Sequence, residues 1–202
     1  GSVGSDTVAW VSPGEPAPLI EQRAAGRVWR VFADGFWQVH PQAAEVLVGT
    51  VVELLQPKPG ERGLDLFCGV GLFAGALADR GVRVHGMEGD RRAARLAGRN
   101  VPEATLSTGD VGRLLSRWER RADLVVLDPP RSGAGIALME RVLRLGARAI
   151  AYVACDPAAL ARDLRVARSA GWEVRSVRAF DLFPLTHHIE AVALLTPPKS
   201  QL

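Results

Sequence analysis

Asp65-Leu66-Phe67-Cys68-Gly69-Val70-Gly71-Leu72-Phe73-Ala74 decides the architecture of this chain. An apolar run breaks on two glycines and resumes with helix-forming residues. Glycine tolerates positive φ and lets the backbone approach a ligand closely, so the stretch reads as strand, tight turn and helix around a binding site. The same alternation continues downstream. Strands are predicted at 63–68, 82–88, 105–108, 123–128 and 149–155, and helices at 71–80, 90–99, 110–119, 136–146 and 157–170. Such an order predicts an α/β fold, a Rossmann-like doubly wound sheet that is mostly parallel. Residues 172–180 and 189–195 read as two strands with no helix between them, hence an antiparallel C-terminal hairpin at a sheet edge.

Upstream of the glycine loop the signals are shorter. A helix follows Pro41 to Leu55, with Val46, Val48, Val51, Val52 and Leu55 as its apolar face, and Pro57 and Pro59 end it. Residues 27–32 and 36–39 read as a hairpin across Ala33-Asp34-Gly35. Gly1-Ser2-Val3-Gly4-Ser5 looks like an expression-tag remnant, and 6–26 shows no sustained period. The expected division is therefore a tag remnant and irregular lead-in over 1–26, then one catalytic domain over 27–202.

Composition narrows the class without naming a function. The chain has 202 residues, 48% hydrophobic and 23% charged, ordinary for one soluble globular domain. No apolar run is long enough for a bilayer span, so no membrane association is expected. Cys68 and Cys155 are its two cysteines, too few for a disulfide framework or a four-cysteine site, and free thiols point to the cytoplasm. A net charge of +3 is compatible with an acidic partner such as RNA. A monomer is expected.

The polar residues fall where an open α/β sheet gathers its ligands, at the carboxyl ends of strands. Asp65 and Cys68 end the first core strand, Glu88 the second, Asp128 the fourth and Cys155 the fifth, while Asp110 follows the third. Gly69-x-Gly71-x-x-Ala74, with Glu88 about 20 residues on, fits a nicotinamide dinucleotide and S-adenosylmethionine alike. Asp65 disfavours two phosphates and suits a cationic amino-acid end. Glu88 suits ribose hydroxyls. Asp110 suits an adenine edge, or simply caps a helix.

Three further segments carry reactive groups. Ala151-Tyr152-Val153-Ala154-Cys155-Asp156-Pro157 ends a strand on a cysteine and opens a helix through proline, a setting whose dipole favours the thiolate. Leu127-Asp128-Pro129-Pro130-Arg131-Ser132-Gly133 holds a carboxylate before a stiff turn. Phe180 to Glu190 loops out and returns with a carboxylate that can serve as a base beside Cys155. His187 and His188 lack the further ligands a metal site needs, so no metal is expected.

Together with Phe36-Trp37-Gln38, these segments resemble the catalytic domain of the RNA uracil-C5 methyltransferases, over residues 27–196. The resemblance implies a class I methyltransferase fold, S-adenosylmethionine as cofactor, rRNA or tRNA as partner, and 5-methyluridine as product through a covalent cysteine adduct at C6. It assigns cofactor contacts to Gln38, Phe67 and Glu88, and cofactor or base contacts to Asp110 and Asp128. Asp65, Gly69 and Gly71 join the cofactor set as the glycine loop. Cys155 is implied as nucleophile and Glu190 as general base.

Departures from the family pattern are specific. Leu72 stands where Asn is frequent, His40 replaces a frequent Asn, and Asp156 replaces the usual Asn, setting a negative charge beside Cys155. Family members also carry an N-terminal RNA-binding β-barrel and often a four-cysteine iron–sulfur cluster, so this sequence reads as a fragment of something longer. Rival readings are a Rossmann NAD-dependent oxidoreductase and a truncated, non-catalytic RNA- or nucleotide-binding domain. A cytosine-C5 enzyme would carry Cys where Arg131 stands, and an amino-directed methyltransferase would not need Cys155.

Overall fold

Ala25 and Gly26 both adopt positive φ, 51° and 76°, the conformation that closes a two-residue hairpin. They join β1 (Leu19–Ala24) to β2 (Arg27–Phe32), which pair antiparallel from Leu19 with Phe32 to Ala24 with Arg27. The hairpin thus lies one strand earlier than the sequence reading put it, inside the stretch read as an irregular lead-in. Leu-Ile-Glu-Gln-Arg-Ala carries no clear alternation, and its strand forms because β2 supplies a partner. The Asp34-Gly35 turn exists, with the Gly35 amide donating to the Phe32 carbonyl at 2.8 Å, but it ends β2 instead of starting a second strand. This computed structural model describes residues 17–38, 40–118, 120–182 and 189–198. His187 and His188 lie outside the described residues.

Helix α1 (Ala43–Leu55) leads into the main sheet and ends with Gln56 in a left-handed conformation. The sheet has seven strands among the described residues, ordered β5-β4-β3-β6-β7-β9-β8. These are β3 (Arg62–Leu66), β4 (Arg83–Glu88), β5 (Thr105–Thr108), β6 (Leu124–Leu127), β7 (Ala149–Ala154), β8 (Glu173–Phe180) and β9 (Glu190–Thr196). The first five run parallel, while β9 lies antiparallel between β7 and β8. The edge strands are therefore β5 and, of this antiparallel pair, β8. Its burial alternates, whereas β9 is largely buried, as an interior strand must be.

The crossovers are α2 (Leu72–Ala78), α3 (Arg91–Asn100), α4 (Val111–Ser116), α5 (Ile136–Leu143) and α6 (Pro157–Ser169). Side chains alternate between two cores, one on each face of the sheet. Ala149, Ala151 and Val153 of β7 pack with α1, α2 and Trp29, while Ile150, Tyr152 and Ala154 pack with α4, α5 and α6. The sheet is doubly wound, as the alternation predicted. No described helix is long and apolar enough to cross a membrane.

The N-terminal hairpin is clamped onto α2 and α3. Arg27 forks onto Asp79 at 2.6 and 2.9 Å, and Asn100 donates to the carbonyls of Arg30 and Val70, both at 3.0 Å. Trp29 is fully buried against Gly75, where an added Cβ would stand only 2.5 Å from the indole. Trp37 stacks on it at 6.2 Å between ring centroids. The clamp holds residues 34–38 above the glycine loop.

Candidate active site

The chain order reverses between β3 and β6, the switch point at which open α/β sheets leave a crevice. A cleft of about 670 Å³ opens there, at the carboxyl ends of β3, β4, β6 and β7. Seven of the ten residues singled out from sequence line it: Gln38, Phe67, Gly69, Glu88, Asp128, Cys155 and Glu190. Ala154 of β7 pairs with Ala191 of β9, so Cys155 and Glu190 occupy the next register step at the cleft wall. The late β9 strand thereby brings residues 35 positions apart together.

The glycine loop is built around strain. Phe67 has φ 64°, a costly conformation for a bulky side chain, and its amide and that of Cys68 both donate to the Met87 carbonyl, at 2.9 and 3.1 Å. The chain turns sharply there and delivers the Phe67 ring and the Gly69 backbone to the cleft. A Cβ at Gly69 would meet nothing within 4 Å. Glu88 fixes the loop, accepting from the Gly69 amide at 2.8 Å and the Asp90 amide at 2.7 Å.

Asp65, Gly71 and Asp110 lie off the cleft lining, each with a structural task. Asp65 is fully buried and accepts from the Ala74 amide at 2.7 Å, tying α2 to β3. Burial first, then Asp128 and Glu88, push its carboxyl well above the usual range, and its Oδ1 has no partner among the described residues. Gly71 begins α2 at φ 97°, with a Cβ position 3.0 Å from Val101. Asp110 caps α4, accepting from the Arg113 amide at 2.8 Å.

Electrostatics runs against the thiolate expected at Cys155. Burial, then Glu190 and Asp128, raise the thiol, and Arg131 only partly opposes them. Asp156 caps α6, accepting from the Ala159 amide at 2.7 Å, so its side chain offsets the positive helix end next to Cys155. Asp156 is thus spent on the helix. Burial likewise raises the Glu190 carboxyl. Asp128 is pushed up to about 7 by burial, then Glu190 and Glu88.

Two further lining residues, Asp34 and Arg92, gave no functional signal in the sequence. Arg92 forks onto Asp34 at 2.9 and 3.1 Å and lies 4.2 Å above the Phe32 ring. Both Asp34 and Arg92 line the cleft, and only their meeting across 58 residues marks them. Cys68, although beside the loop, is buried, and its thiol is pushed far up by burial, Asp65 and Glu88.

Comparison with known proteins points to methyltransferases. The family model described as Methyltransferase small domain matches residues 41–151, and that described as tRNA (Uracil-5-)-methyltransferase matches residues 115–197. An "Uncharacterized RNA methyltransferase" of Streptomyces avermitilis is 54% identical over 186 residues, covering 89% of this chain and 43% of the relative. The 23S rRNA (uracil(1939)-C(5))-methyltransferase RlmD of Shewanella sp. strain ANA-3 is 40% identical, covering 81% of this chain and 38% of the relative. The Pyrococcus abyssi tRNA (uracil-54, C5)-methyltransferase, solved in complex with S-adenosyl-L-homocysteine, superposes with a TM-score of 0.77 at 32% identity. That match covers 88% of this chain and 44% of the archaeal one. The chain spans less than half the length of these relatives. The chain belongs to the methyltransferase small-domain family, and over residues 115–197 it also matches the tRNA (Uracil-5-)-methyltransferase model.

Proposed function

We propose that this chain is the catalytic part of an S-adenosylmethionine-dependent RNA methyltransferase that makes 5-methyluridine in rRNA or tRNA. The observation that carries the reading is the β7–β9 register, which sets a cysteine and a carboxylate side by side in a cleft that also holds Asp128.

The cleft suits a cationic adenosyl cofactor better than a dinucleotide. Glu88, Asp128 and Glu190 line it, a field that attracts a sulfonium and repels a pyrophosphate. The Arg92 cation is already neutralised by Asp34. Phe36, Trp37 and Phe67 offer aromatic faces to an adenine, and Gln38 an amide. Glu88 keeps spare lone pairs for ribose hydroxyls. Bound there, S-adenosylmethionine supplies an electrophilic methyl group.

The protein's residues supply the rest. Uracil C5 is too electron-poor to take a methyl group unaided, so the Cys155 sulfur adds at C6 and the ring electrons move onto the C4 oxygen as an enolate. C5 then bonds to the methyl as the sulfonium is released as a thioether. Glu190 takes the C5 proton, the C5–C6 double bond re-forms and the C6–sulfur bond breaks, returning Cys155. The thiol is protonated at rest, so its proton must leave as sulfur adds. Asp128, titrating near 7, can accept one at neutral pH. The target base must be extruded from its stack to enter.

Incubating the chain with uridine-containing rRNA or tRNA transcripts and the methyl donor, then digesting to nucleosides, tests the reading. Mass spectrometry should find 5-methyluridine. Methylation at another atom, or none on any RNA, would contradict it.

A further inference from the structure

Behind the cleft, and touching none of it, lies a buried carboxylate with four donors. Asp163 of α6 is fully buried, and its Oδ2 accepts from the Tyr152 hydroxyl at 2.6 Å, the Ala134 amide at 2.8 Å and the Gly135 amide at 3.2 Å. Its Oδ1 accepts from Arg162 Nε at 2.9 Å, and Arg162 Nη2 reaches on to the Ser132 carbonyl at 2.8 Å. The Ala134 amide is shared with the Tyr152 hydroxyl oxygen at 2.9 Å. Gly133, at φ 78°, lets the loop come this close: a Cβ there would stand 2.7 Å from Asp163 and 2.5 Å from Arg162.

We infer that Asp163 and Tyr152 are positioning residues, which lock the loop following Asp128 onto the strand and helix that flank Cys155. The inference rests on the reading of Cys155 and Asp128 as reactive groups, and it extends that reading to residues outside the cleft. Three elements meet at this carboxylate. Tyr152 lies on β7 three residues before Cys155, and Asp163 lies on the helix that begins just after it. The 130–135 loop carries Pro130 and Arg131, which line the cleft with Asp128. An apolar residue at 163 would fill the space without the desolvation cost of a buried charge, but it would leave the Gly135 amide and the Tyr152 hydroxyl proton without this acceptor. The carboxylate admits one loop conformation, and reacting groups displaced by 1 Å can lose about 100-fold in rate.

Tyr152→Phe removes one hydroxyl and keeps the packing, while Asp163→Asn removes the charge; the double variant closes the cycle. Assayed well below each melting point, Asp163→Asn should lower kcat roughly 10- to 100-fold and Tyr152→Phe several-fold. The KM for RNA and S-adenosylhomocysteine affinity should stay within about 2-fold, and the double variant should be no worse than Asp163→Asn. Unchanged kcat with only a lower melting temperature would overturn the inference. If Asp163→Asn does not fold, Tyr152→Phe alone decides. If the wild-type chain makes no 5-methyluridine, the pH midpoint of Cys155 alkylation by iodoacetamide decides instead. A displacement of roughly half a unit in either direction supports the positioning role, and superimposed profiles overturn it.

Discussion

On the proposed mechanism Cys155 meets its substrate as a thiol, because burial and two neighbouring carboxylates oppose its ionisation. On that mechanism such a group resists casual alkylation and would become a nucleophile when a uracil and a proton acceptor are both in place. Cys155→Ala should abolish methyl transfer while S-adenosylhomocysteine binding, followed by calorimetry, stays near wild type. Glu190→Gln should accumulate a protein–RNA adduct on a denaturing gel, since release of the cysteine waits for the C5 proton. Asp128 makes a prediction about stability. Its folded pKa of about 7 exceeds the ordinary carboxylate value, so between roughly pH 4 and 7 the folded state holds a proton that the unfolded chain has lost. Stability from this group therefore falls as pH rises through that window. Asp128→Asn should stabilise the fold at pH 8 by about 1 kcal/mol or more, and hardly at all near pH 4, in thermal melts at the two pH values. The meeting of Cys155, Asp128 and Glu190 at one cleft was legible in sequence because each ends or begins a strand. The direction of the thiol's shift was not, since it depends on carboxylates that only the tertiary fold brings near.

The strands and crossover helices of the sheet follow the alternation of apolar runs closely, with boundaries differing by a residue or a few, because buried parallel strands must be apolar on both faces. Two features escaped that logic. β9 inserts beside β7, a choice of pairing partner that periodicity does not encode, and the N-terminal hairpin turns at Ala25-Gly26, where no strong turn dipeptide advertises it. The three glycine-loop and cap residues that miss the cleft, Asp65, Gly71 and Asp110, show the limit of motif reading: the same residue types serve helix capping and close packing. At Gly75 packing overrides propensity. In an ordinary helix interior Gly→Ala gains close to 1 kcal/mol, but a methyl group here strikes Trp29. Gly75→Ala should instead cost about 1–3 kcal/mol in urea unfolding, and weaken cofactor binding as the hairpin lifts residues 34–38.

Across the molecule two hollows compete for attention. One of about 940 Å³ lies at the amino ends of β3, β4 and β5, among Arg62, Arg83, Arg117, Arg120 and Arg121. The smaller cleft at the carboxyl ends holds the thiol, the carboxylates and the strained Phe67, and chemistry decides between them over size. If the carboxylate-lined cleft is an adenosyl-cation site, calorimetry should detect S-adenosylhomocysteine and no NAD; the reverse would favour an oxidoreductase. The central claim is that the Cys155 sulfur bonds to C6 of a uracil. Replacing the target uridine with 5-fluorouridine removes the proton that Glu190 would take on the proposed mechanism, so the adduct could not resolve. Mass spectrometry of the chain incubated with such RNA and S-adenosylmethionine should find one methylated RNA per protein, attached at Cys155. Unmodified protein, or attachment at Cys68, would contradict the account.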